Sequence, residues 1–158
     1  MSEASASESA STARVLALGH VVLKVRSLAV SAPFYRDVLG LREVTRYGRS
    51  MVFFSCGENH HDLALLEVGA AAPLQNPRGV GLYHVAFKVG DSLEQLRAFK
   101  ARLEAAGVEI LGMTDHRVSQ SLYFVDPDGI TIEAYVDADP SVWRDDPSAL
   151  AAILPLDL

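Results

Sequence analysis

Cysteine is nearly missing from this chain: Cys56 is the single one in 158 residues. No disulfide can therefore form within the chain, which favours a reducing, cytoplasmic setting. Basic residues are also scarce, with 14 Lys and Arg against 20 Asp and Glu and a net charge of −6. Nucleic acid is thereby excluded as an expected partner, because phosphate binding wants a basic face. Long apolar runs are absent too. None approaches the roughly 18 residues that a bilayer span needs, so no membrane partner is expected. The first residues, MSEASASESASTA, contain almost nothing to bury and no apolar signal segment, and residues 1–13 read as a disordered tail.

What is present is a repeat. GHVVLKV (Gly19–Val25) and YHVAFKV (Tyr83–Val89) share His-Val-x-x-Lys-Val, and their histidines stand 64 residues apart. Each alternates apolar and polar faces, which is a strand pattern. After the first copy comes a helical stripe over Ser27–Leu39, broken by Pro33, with Ser27 as a candidate cap. Strand-like runs follow at Arg42–Tyr47, Met51–Cys56 and Asp62–Val68. A linker with Pro73 and Pro77 covers Gly69–Gly79. The order then recurs: strand, amphipathic helix Ser92–Ala106, strands at Val108–Leu111, Ser121–Val125 and Ile130–Val136, with a DPDG turn at Asp126–Gly129. This predicts an α+β fold of two βαβββ modules, about 14–70 and 80–137, in one domain over 14–140. The modules are expected to pair into a half-open curved barrel around a metal site. Residues 141–158 form a C-terminal tail, with a short helix expected to fold back around Leu150–Leu154.

In that barrel His20 and His84 would face one another. Glu133 stands mid-strand in the apolar run ITIEAYV, where an unpaired carboxylate is costly to bury and a cation would remove the cost. Two histidines and one carboxylate make a facial triad with about three open positions, the pattern of non-haem Fe(II) oxygenases.

These residues resemble the vicinal oxygen chelate superfamily over about residues 18–137, through GHVVLKV, YHVAFKV and SLYFVDPDGITIEAY. The chain is most similar to type I extradiol (catechol 2,3-type) dioxygenases. That resemblance implies a cytoplasmic enzyme of aromatic catabolism, acting on a catechol-type diol and O2 with Fe(II), or alternatively Mn(II), Ni(II) or Zn(II). It implies His20, His84 and Glu133 as metal ligands. It implies catalytic roles for His61, in His-Asp-Leu-Ala-Leu; for Tyr123, ten residues before Glu133; and for His116, in His-Arg-Val-Ser. Arg117 departs from the glycine usual at that place. Small members of the superfamily often dimerise, so a homodimer is among the expected states.

A second reading turns on Glu67. His20 to Glu67 is 47 residues and His84 to Glu133 is 49, so Glu67 fits as the partner of Glu133 and as an alternative fourth ligand. A glyoxalase I or epimerase-like isomerase or lyase would then use His20, Glu67, His84 and Glu133, with the metal as Lewis acid. A binding protein of the bleomycin-resistance type is the third reading.

Overall fold

The computed structural model describes residues 13–158, and all but the last residue of the expected tail lies outside them. Two βαβββ modules follow one another. The first holds β1 (Val21–Val25), helix α1 (Leu28–Pro33) continuing as a π-turn over Phe34–Val38, β2 (Arg42–Tyr47), β3 (Met51–Ser55) and β4 (Leu63–Glu67). The second holds β5 (Val85–Gly90), α2 (Leu93–Ala105), β6 (Gly112–Asp115), β7 (Ser119–Val125) and β8 (Thr131–Asp137). The sheets run β1-β4-β3-β2 and β5-β8-β7-β6-β9, where β9 (Leu154–Pro155) comes from the C-terminal tail. In each sheet the first strand lies parallel to the last, and the other strands of the repeat pair antiparallel. The α+β fold of two repeated modules thus stands, with both sheets open.

Pro33 has no N–H to continue the helical ladder, and the chain passes into the wider π-turn, closed by Leu39 N–H on Phe34 O at 3.1 Å. That turn aims Tyr35 inward, fully buried, onto Asp126. α2 begins as its sequence predicts, with Ser92 Oγ accepting from Gln95 N–H at 3.3 Å. Two local expectations need correction. The strand expected at Val108–Leu111 lies at Gly112–Asp115 instead, because Val108 and Ile110 pack on the core as loop residues while the polar stretch after them pairs with β7. In the C-terminal tail the fold-back takes the form of a 3-10 turn (Pro147–Ala151) followed by strand β9.

The core is continuous between the modules. Leu23, Val25, Phe54, Leu63 and Leu65 from the first join Phe124, Ile132 and Val136 from the strands of the second and Leu96 and Leu103 from its helix α2. Phe34 meets Phe124 with ring centroids 6.4 Å apart. The DPDG turn fastens this contact: Tyr35 Oη donates to Asp126 Oδ2 at 2.9 Å, Ser31 Oγ to Asp128 Oδ2 at 3.0 Å, and Arg26 Nε to Asp128 Oδ1 at 2.7 Å. The modules therefore meet along their helix-bearing sides, and the opposite sheet faces are left open.

Candidate metal centre

On those open faces lie the histidines of the repeat, each one residue ahead of its strand. Register decides what faces them. Val21 pairs with Leu63 and Val22 with Ala64; Val85 pairs with Ile132 and Ala86 with Glu133. The residue of the first module that corresponds to Glu133 is therefore Ala64, and the correspondence with Glu67 drawn from spacing is corrected. Glu67 lies three positions further along β4, on the face toward α1, where its Oε2 accepts the Leu28 N–H at 2.6 Å. It caps α1, the task expected of Ser27, whose side chain makes no capping bond. Among the described residues, β4 brings no carboxylate to the position that Glu133 holds in β8.

In the second module the predicted residues converge. His84 Nε2 lies 2.9 Å from Glu133 Oε2. Glu133 is 8% exposed, and its other oxygen, Oε1, accepts from Tyr123 Oη at 3.0 Å. Tyr123 Oη is in turn 2.9 Å from His116 Nε2, and His116 Nδ1 is 2.7 Å from the Ala152 carbonyl. Burial, and then the Glu133 carboxylate, push the Tyr123 hydroxyl up to about 12, so it stays protonated at neutral pH. His84 Nδ1 is buried with no hydrogen-bond partner among the described residues.

The first module gathers a second cluster. His61 packs at a tilt against His20 with centroids 4.3 Å apart, packs edge-on against Phe53, and places its Nδ1 2.6 Å from His60 Nδ1. One of these two nitrogens must carry the hydrogen and the other the lone pair. Either tautomer leaves His61 Nε2 outside this contact, as a lone pair when His61 is the donor and as N–H when His60 is. Partial desolvation, reinforced by His20 and His60, holds His61 below the ordinary histidine range, which favours the neutral ring.

The structure does not join the two clusters within one chain. Among the described residues no group of three His, Cys, Asp or Glu is placed to hold a metal ion, so His20 stands apart from His84 and Glu133. The donors themselves suit a divalent cation. A buried carboxylate faces an imidazole nitrogen, and a further imidazole lies on the matching open face of the first module. Sequence reasoning set His60 aside in favour of His61, and missed the edge contact of Phe53 and the Ala152 carbonyl. The last is a backbone group and leaves no mark in side-chain spacing.

Residues 17–134 match the family model of the Glyoxalase/Bleomycin resistance protein/Dioxygenase superfamily, and the chain belongs to that superfamily. It is 38% identical over 130 residues to a catechol-2,3-dioxygenase of Bacillus subtilis, covering 82% of this chain and 44% of that enzyme. The chain thus spans less than half the length of this relative. It is 32% identical over 119 residues to the glutathione transferase FosA of Serratia marcescens, covering 75% of this chain and 79% of FosA. A glyoxylase/bleomycin resistance protein/dioxygenase domain from Frankia superposes with a TM-score of 0.65 at 26% identity, over 79% of this chain and all of the other. No helix among the described residues is long and apolar enough to cross a membrane.

Proposed function

We propose that the chain is an extradiol dioxygenase that opens a catechol-type ring with O2, with His20, His84 and Glu133 as its metal ligands. The observation that carries this reading is the register of β4. With Ala64 where the second module has Glu133, the doubled strand pair offers two imidazoles and one carboxylate, the donor set of Fe(II) oxygenases. His20, His84 and Glu133 would hold an Fe(II) or Mn(II) ion, which would supply Lewis-acid and redox chemistry for the diol and O2. His61, in the tautomer that donates its Nδ1 hydrogen to His60, would accept the proton of a catechol hydroxyl at Nε2 and return it as the O–O bond breaks. Tyr123 and His116 line the opposite side, where the single Tyr123 hydroxyl proton, shared between Glu133 and the His116 Nε2 lone pair, can be passed to an oxygen that gains charge.

The two halves are completed by a second copy of the chain. The open face of the first module carries His20, the exposed Val22 and Lys24, and that of the second carries Tyr83, which is 86% exposed, beside His84 with its unpartnered Nδ1. Two copies arranged about a twofold axis would bring each His20 to the other copy's His84 and Glu133, making two equal sites.

The test is anaerobic loading with Fe(II), metal analysis, and O2 uptake with catechol and its 3- and 4-substituted forms. Stoichiometric uptake with a yellow ring-cleavage product is expected. Absence of uptake with every diol overturns the reading. The match to FosA favours one second reading, a metal-dependent glutathione transferase on the same site, which glutathione consumption without O2 uptake would support.

A further inference from the structure

We propose that the C-terminal segment, residues 146–158, is a positioning element for His116: the Ala152 carbonyl fixes which ring nitrogen faces the site. This rests on the reading of His116 and Tyr123 as site residues.

The segment lies beyond the matched residues 17–134, yet it returns to the β6–β7 hairpin that carries His116 at its turn. Leu154 pairs with Asp115 and Pro155 with Thr114 on one side of the turn. Asp146 Oδ2 stands 3.7 Å from the Arg117 guanidinium at its tip. Ala149 is buried, and Leu156 and Leu158 pack against the core, so the segment is anchored at both ends. The turn itself is strained, for Arg117 holds φ at +66°, the left-handed region that a glycine adopts freely. A non-glycine residue keeps such a conformation only where its surroundings hold it. Here those surroundings are Asp115, whose Oδ1 accepts the Arg117 N–H at 2.6 Å, and the returning tail.

The chemistry follows from one fact: a carbonyl oxygen can only accept. At 2.7 Å from Ala152 O, His116 Nδ1 must carry hydrogen. The neutral ring then offers its lone pair at Nε2, directly toward Tyr123 Oη. Tyr123 has one proton for two acceptors. It can donate to Nε2 and leave Glu133 Oε1 free, or donate to Glu133 while a second proton sits on Nε2. In either state Nε2 is the nitrogen that takes up or gives a proton, and the tail is what reserves it. Were the tail only closing the edge of β6, releasing it would lower stability without changing the ring's tautomer.

The experiment is nitrogen-15 NMR of histidine-labelled, metal-free protein, read through the long-range couplings that distinguish the two tautomers. The full chain should show His116 with hydrogen on Nδ1. Leu156→Asp, which repels the partly buried anchor, and Leu154→Pro, which disturbs β9 pairing from an exposed position, should shift His116 toward the Nε2–H form. With Fe(II) bound at unchanged stoichiometry, kcat on a catechol should fall about tenfold in both, a fraction of what a positioned acid–base group contributes. Leu154→Pro keeps the test decisive if Leu156→Asp unfolds. An Nδ1 without hydrogen in the full chain, or identical His116 signals in the full chain and Leu154→Pro, overturns the proposal. A tautomer shift with no ring cleavage by any form supports the positioning role and sinks the dioxygenase reading instead.

Discussion

At the scale of single residues, Glu67 separates the readings. Its carboxylate accepts the first amide of α1 from the far side of the sheet. Glu67→Ala should therefore cost about 1 kcal/mol of stability, the usual worth of a helix cap, and leave bound metal per chain unchanged. Loss of metal in that variant, measured by elemental analysis, would restore the four-ligand isomerase. His61→Ala should keep its metal and lose on the order of 100-fold or more in kcat, the contribution of a general acid–base group. Asp126 gives a test by pH. Burial holds its carboxyl above the usual range, against the hydrogen bonds from Ile130, Tyr35 and Asp128 that pull it down. A raised folded-state pKa means that the native form keeps its proton longer. Its contribution to stability is then present below the unfolded aspartate pKa and is lost as pH rises through the folded value. Asp126→Asn should remove this dependence, so the stability of the wild type relative to the variant should fall as pH rises above the ordinary aspartate range of about 4, read from urea midpoints. A constant difference would refute the assignment.

At the scale of elements, the modules are joined through aromatic and carboxylate contacts on their helix sides rather than through their strands. Phe124 is fully buried and reaches Phe34 of the first module and Phe99 of α2. Phe124→Ala should lower stability by about 3–5 kcal/mol and keep one cooperative transition, because the cavity opens in a core that both modules share. Two separate transitions by fluorescence and circular dichroism would show independent modules. Most elements were legible from alternation and turn chemistry: β2 runs over the residues expected of it, and the others start or stop within a few residues of expectation. The exception is β6. Val108 and Ile110 are β-branched and apolar, so they read as a strand, but the core recruits them without pairing. The DPDG stretch was legible as a turn. That its two aspartates would fasten α1 was not, because their partners Arg26, Ser31 and Tyr35 lie 91 to 102 residues away.

At the scale of the whole molecule, sharing of sites between copies has a direct test. His20→Ala and His84→Ala chains should each be inactive alone. Refolded together, they should recover roughly a quarter of wild-type activity, since about half of the dimers are mixed and each mixed dimer carries one intact site. No recovery, with mixed dimers present by native mass spectrometry, would place all three ligands in one chain.

The sequence by itself determined the repeat, the strand faces of His20, His84 and Glu133, and so the kind of donor each module can offer, because alternation along a strand is a local property. Only the tertiary structure decided the rest. Spacing made Glu67 the counterpart of Glu133; register made it Ala64, because loop lengths within the two modules differ and only hydrogen-bonded pairing counts residues across strands. The same holds for the paired His-Val-x-x-Lys-Val strands. Their likeness led to the expectation of one site with His20 and His84 face to face, but which faces meet depends on where the cores fuse, and here the modules fuse along their helix sides and leave the histidine faces open.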